Sequence, residues 1–470
     1  MMLKKIISAA FILLSFHIFP DSKISFYGTY ESIFDLQHTK AFNSGDNINF
    51  SGFGWGWNNY ANLIMDTSIN DNLSFSMSFN INTFSGNYSD TYQLYYKAFA
   101  QSIFQSLYSN VPQNYSSFLS IPFYYKDSYV GNVELERMYF NVGDNYFNLQ
   151  AGLFRMSHGY GYTFKPMDFI NPPNPINPTI RPEGRLGILA TFFPMPLWEI
   201  ETYMIAPENP IEENGWGFKF GADTKMNFRK LHMEFMYNLF LPEIQYHYKP
   251  SDLNLPNYVN NDFAHLIGFG LKADVEVGLN FEMTYNIDQG QLASDKYYNS
   301  TWYFYKGLQI AAGIDYTIPI SYTDSKFYLL AEYYFNGPGN VDWGNKNLND
   351  LYTDDYLWKN NDPINREQYV NTNLKPEIFE RHDYISGLVR FTLNTYVSFT
   401  ATYLFGADDQ SSLLGWNVEI EPFQSFTIDV NGLYPLDLQD ISTTAFNPGE
   451  LGSLNLGYFQ DYRISAKIKF

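Results

Sequence analysis

The sequence predicts an all-β fold: a transmembrane, antiparallel, up-and-down β-barrel of about eighteen strands, with sixteen as the alternative count. Three observations carry this. Apolar and polar residues alternate strictly over segments of about ten residues, the pattern of barrel strands with one face in lipid. The connections between those segments alternate between short and long. The composition is aromatic and weakly charged: 40 Tyr, 42 Phe and 8 Trp make up 19% of 470 residues, and 17% are charged, against about 25% charged in ordinary globular chains. Lys and Arg number 29 and Asp and Glu 49, so the formal charge is 29 − 49 = −20, which leaves no basic footprint for a nucleic acid. With no cysteine, disulfides, thiolate metal sites and a cysteine nucleophile are all excluded.

The N-terminus carries Lys4 and Lys5, then an apolar run over 6–19 that stops at Pro20. That is the charged and apolar sequence of a secretory signal, assigned to 1–22, and it is too short for a good membrane-spanning helix. Residues 23–470 then form a single barrel domain.

Leu73, Phe75, Met77, Phe79 and Ile81 alternate with serine and asparagine. Trp216, Phe218, Phe220 and Ala222 alternate with Lys219, Gly221 and Asp223. Leu279, Phe281, Met283 and Tyr285 alternate with Asn280, Glu282 and Thr284, and Phe426, Ile428 and Val430 with Thr427 and Asp429. Extended along the chain, the pattern predicts strands at 24–37, 50–67, 73–83, 132–142, 146–157, 185–193, 197–206, 215–226 and 230–241. The second half adds 263–275, 279–289, 304–318, 326–336, 384–393, 397–406, 412–421, 425–435 and 459–470. Short turns such as Gly143-Asp144-Asn145 and Pro194-Met195-Pro196 alternate with long loops, chiefly 84–131, 158–183 and 337–379. Short turns belong to the periplasmic side and long loops to the outside, and an even strand count places both termini in the periplasm.

The last strand, Tyr462 to Phe470, alternates and ends the chain on phenylalanine. It resembles the terminal-strand signal of bacterial outer-membrane proteins, with Tyr462, Ile464, Ile468 and Phe470 as its apolar positions. The resemblance implies recognition by the barrel-assembly machinery, delivery by periplasmic chaperones and residence in outer-membrane lipid of a Gram-negative-type envelope. The stretch Arg155…Gly159-Tyr160-Gly161…Pro166-Met167-Asp168-Phe169-Ile170-Asn171-Pro172 is similar to one found in several porin-like barrels, without singling out one family.

With the apolar strand faces in lipid, the polar faces line the lumen. Arg137, Lys219, Asp223 and Glu282 fall on that inner face. The wall carries both signs, so a single-sign basic ring for phosphate is not predicted. The segment 158–183 holds Pro166, Pro172, Pro173, Pro175, Pro178 and Pro182. It is excluded from a central strand and stiff. With Lys165, Asp168, Arg181, Glu183 and Arg185, it is the expected inward loop that sets a constriction; a stiff external cover is the alternative. The Asp-rich loop 337–379 lacks Ca²⁺-loop spacing and reads as solvated.

No His-x-x-x-His pair, Gly-x-Ser-x-Gly elbow or phosphate loop is present, so no enzyme, cofactor or metal site is assigned. Barrels of this strand number leave an aqueous channel. The expected function is an outer-membrane pore for passive diffusion of small hydrophilic solutes. The alternative is a surface-exposed barrel acting as an adhesin or structural protein.

Overall fold

The computed structural model describes residues 23–39, 52–86, 120–126, 129–171, 184–206, 216–242, 264–287, 307–320, 324–337, 382–394, 396–408, 410–436 and 460–470. The signal segment 1–22, loop 337–379 except its first residue, most of loop 84–131, and residues 172–183, including Arg181 and Glu183, lie outside them.

The strands are β1 (Lys23–Thr39), β2 (Gly52–Asn70), β3 (Leu73–Gly86), β4 (Ser120–Lys126), β5 (Tyr129–Gly143), β6 (Phe147–Phe154), β7 (Arg185–Met195), β8 (Trp198–Ile205), β9 (Trp216–Phe228) and β10 (Leu231–Pro242). They continue as β11 (Ala264–Asp274), β12 (Gly278–Asn286), β13 (Leu308–Pro319), β14 (Lys326–Asn336), β15 (Asp383–Leu393), β16 (Val397–Gly406), β17 (Ser412–Phe423), β18 (Phe426–Leu436) and β19 (Gln460–Lys469). Every pairing is antiparallel, and β19 pairs with β1 to close the ring.

Eighteen of these strands make the barrel, each overlapping one that alternation predicts. Among the described residues the nineteenth, β4, pairs only with β5, inside the segment read from sequence as loop 84–131. β3 holds one edge of β5 along nearly its whole length. On the other edge β6 pairs with Met138–Gly143 and β4 with Tyr129–Glu134. β4 thus continues the ladder where β6 ends early and its chain turns into the barrel.

The alternation divides the faces as expected. Phe218 and Phe220 are exposed on the outer surface, while Lys219 and Asp223 are buried inside. The outer face is pinned by directly opposed aromatic pairs: Phe75–Phe140 at 4.8 Å between ring centres, Phe147–Phe192 at 5.0 Å, Phe235–Phe269 at 4.9 Å and Phe327–Phe391 at 4.8 Å. Such cross-strand contacts fix register, because a one-residue slip would turn every apolar side chain inward. The turns that follow β2, β5, β7, β9, β11, β13, β15 and β17 lie at one end of the barrel, together with Lys23 and Phe470, whose backbone exchanges two hydrogen bonds with Gly28 (2.8 and 3.0 Å). Asp144 caps the 144–146 turn by accepting from the N–H of Tyr146 and of Phe147.

The interior is not polar throughout. Phe154, Leu189, Tyr203, Ile205, Met236, Phe240 and Leu266, all pointing inward, form an apolar core with Met156, Met167, Phe169 and Ile170 of the segment after β6. A second cluster joins Phe164 to Ala311, Tyr334, Tyr384, Leu404 and Leu413. Burying apolar wall residues under a loop removes them from water, so alternation fails locally where the loop packs.

Candidate functional site: a loop held against the inner wall

After β6 the chain enters the barrel as residues 155–171. Its base is closed by two hydrogen bonds, Met156 N–H to Asn171 Oδ1 (2.9 Å) and Ser157 Oγ to Asp168 Oδ2 (3.0 Å). Arg155 pairs with Glu136 at 2.6 Å on β5, and Arg185, the first residue of β7, donates to the Ile170 carbonyl at 3.2 Å. A closed base of this kind defines a compact loop rather than a loose excursion.

The tip, residues 158–163, runs along the inner wall beneath three glutamates on alternate strands. Glu234 on β10 accepts the Gly159 N–H at 2.9 Å. Glu282 on β12 accepts the N–H groups of Tyr160 and Gly161 through one oxygen and that of Met167 through the other. Glu332 on β14 accepts Tyr162 at 2.7 Å and Thr163 at 2.6 Å. Six consecutive or near-consecutive backbone donors thus find carboxylate acceptors, which are stronger than neutral ones. Beyond the glutamates, Ser386 on β15 reaches the Thr163 hydroxyl (3.0 Å) and Arg390 the Tyr162 hydroxyl (3.4 Å).

The sequence permits this lie at two levels. The wall is low between the glutamates, because Gly270 on β11 stands in register with both Glu234 and Glu282. A Cβ there would already touch Met167 Sδ at 3.0 Å and the Tyr160 ring at 3.3 Å. In the loop, Gly159 has φ +78°, and a Cβ on it would run into the Glu282 carboxylate. Only glycine adopts that backbone without cost and lets the two groups meet.

At the loop's entry, His158 is buried with its Nδ1 3.2 Å from Asp223 Oδ2 and 3.1 Å from Glu234 Oε1. Burial alone would lower its pKa, but hydrogen bonds to Asp223 and Glu234 and their charges outweigh this and raise it to about 9. The Phe169 ring stacks over the imidazole at 6.3 Å. Lys225 binds Glu201 at 2.7 Å and stands 3.6 Å from Asp223.

The structure brings together several residues predicted from sequence and separates others. Asp223 and Glu282 meet the loop, whereas Lys165 and Asp168 belong to it. Lys219 lies buried inside, with its ammonium 6.0 Å from the Phe240 ring centre. Glu234, Glu282 and Glu332, three of the acids that alternation places on the lumen wall, are buried under the loop, so they do not face solute there. Glu136 escapes the alternation because a bulge between Ser78 and Phe79 of β3 and the facing strand places it and Arg137 side by side; bulges re-aim side chains in this way. Glu136 also accepts from Asn62 and Ser78 at 2.6 Å each. The apolar signal that could have located the docked loop is the run of inward Phe154, Ile205, Met236 and Phe240, each at a position that a water-lined wall would give to a polar residue. Tyr462, Ile464, Ile468 and Phe470 lie on the outer face of the closing strand, with Phe470 62% exposed.

No protein-family model matches the sequence, and no curated protein matches it. Among solved structures, the chain is similar to Escherichia coli Wzi, described as an outer-membrane protein involved in group 1 capsule assembly and a carbohydrate-binding β-barrel. The identity is 12%, over 95% of this chain and 84% of that one, with a TM-score of 0.50. It also aligns with Acinetobacter baumannii OccAB1 (10% identity, 95% and 96% of the two chains, TM-score 0.47) and with Pseudomonas aeruginosa OpdK in its vanillate complex (8%, 96% and 99%, 0.45). At these identities the likeness to Wzi concerns the fold alone, and it agrees with the barrel described above. The chain is an antiparallel barrel of the outer-membrane type.

Proposed function

We propose that the protein is an outer-membrane channel for passive diffusion of small hydrophilic solutes, with its bore narrowed by the loop 155–171. The observation that carries this reading is the loop's attachment by its backbone to Glu234, Glu282 and Glu332 inside a ring of eighteen strands. A ring of that size is wide enough for water, and a loop fixed by peptide N–H groups narrows it. Tyr162 is exposed, 48% accessible, and touches Arg390. This reading draws the constriction from 155–171, of whose residues Pro166 is the single proline.

In this reading Lys165, Tyr162 and Arg390 border the passage. Asp223, Glu282 and Asp168 hold the loop and are not contacted by solute. Both termini lie in the periplasm, 1–22 is removed as a signal, and the Tyr462–Phe470 strand is handed by chaperones to the assembly machinery. Reconstitution tests the function. Purified protein in planar bilayers should give ohmic steps, and liposomes should swell in sugars, amino acids and dicarboxylates in order of solute size. A folded barrel that gives neither would assign the protein to the surface-barrel alternative.

A further inference from the structure

The geometry points to a divalent-cation site at the loop's entry, formed by His158 Nδ1, an Asp223 carboxylate oxygen and a Glu234 carboxylate oxygen, where one small ion bolts the loop to β9 and β10. All three residues are buried and come from three separate segments, and their ligand atoms lie within 4.8 Å of one another. The Nδ1 atom is 3.2 Å from one carboxylate and 3.1 Å from the other. Ligands about 2.0–2.2 Å from a common ion stand about 3.0–3.5 Å apart in tetrahedral or octahedral arrangements, so these separations match edges of a coordination shell.

Charge argues the same way. Two carboxylates converge on a single imidazole nitrogen, which has one proton to offer both. Asp223 Oδ1 stays buried without a hydrogen-bond partner. Buried acceptors of this kind are rare unless something fills the gap. Lys225 bonds Glu201 at 2.7 Å and approaches the other Asp223 oxygen, Oδ2, at 3.6 Å, which leaves Oδ1 unfilled. A divalent ion balances both acids and leaves His158 neutral, the form that ligates.

The surroundings are those of a held ligand set. The Gly159 N–H fixes the second oxygen of Glu234, and Phe169 covers the imidazole face. Outer contacts of this type orient ligands and sharpen affinity. One nitrogen and two oxygens, with no sulfur, suit zinc, manganese or cobalt(II) rather than copper(I). The inference rests on the docked loop and not on solute passage, so ion uptake and conductance can fail separately.

The experiment uses the whole folded barrel, stripped with chelator and titrated with Zn²⁺, Mn²⁺ and Co²⁺, with stoichiometry by elemental analysis and Co²⁺ followed by its visible spectrum. One of these ions should bind at about one per chain. The Asp223→Asn/Glu234→Gln double variant should bind it at least about tenfold more weakly, and His158→Gln should change the Co²⁺ spectrum. Heat-modifiable migration verifies folding of each variant. If a variant does not fold, wild type decides alone: chelator should open the loop to protease and the added ion should close it again. Folded wild type that takes up none of the three ions, or takes them up as the double variant does, overturns the site and assigns the cluster to a shared proton.

Discussion

Glu282 ties the loop to the wall more tightly than any single contact of the tip. One fully buried carboxylate accepts three N–H groups from a loop more than a hundred residues earlier in the chain. Each buried donor left without an acceptor costs about 1–3 kcal/mol. Glu282→Ala should therefore free the tip, and chymotrypsin should cut after Tyr160, Tyr162 or Phe164 in a barrel that stays folded. Glu282→Gln keeps one acceptor oxygen and should cut more slowly. A tip in Glu282→Ala as resistant as wild type would remove the glutamate from its holding role. Gly159→Ala should release the tip as well, since both its φ and its contact with Glu282 exclude a Cβ. Period-two alternation made the inward side of Glu282 legible. Its partners were not legible, because the contact joins segments far apart in the chain and uses backbone rather than side-chain donors.

Elements obey the lipid. A strand exposed to hydrocarbon must satisfy every backbone group through its neighbours, which makes the β1–β19 seam the place where closure is decided. Phe470 completes it through two backbone bonds to Gly28. Its ring, with Ile464 and Ile468, faces outward. Changing Ile468 and Phe470 to polar residues should slow insertion and leave protease-sensitive chain in the periplasm, read by fractionation. Heat-modifiable barrel at wild-type level would contradict that role. All eighteen ring strands were readable from alternation and turn spacing, since lipid imposes the same rule on each. β4 was not, because it pairs along only part of β5 inside a Tyr-rich segment whose apolar residues show no period of two. Glu136 was missed for a related reason, as a bulge breaks the count on which parity depends.

At the scale of the molecule, the turns that follow β2, β5, β7, β9, β11, β13, β15 and β17 share one rim with Lys23 and Phe470. Protease added to intact cells should cut in 84–131 or 337–379, and cleavage at Gly143-Asp144-Asn145 from outside would reverse the orientation. Within the barrel, Glu234, Glu282 and Glu332, which alternation places on the wall, are instead covered by the loop and hydrogen-bonded to its peptides, so cation preference should be weaker than a charge of −20 suggests. In the proposed channel the loop, held by its glutamates, sets the bore. Single-channel conductance of the Glu282→Ala/Glu332→Ala variant against wild type tests it most directly, in protein whose loop is shown by proteolysis to be released. Larger steps and passage of bulkier solutes in liposome swelling are expected; wild-type conductance from a folded barrel with a freed loop would show that the loop does not set the bore.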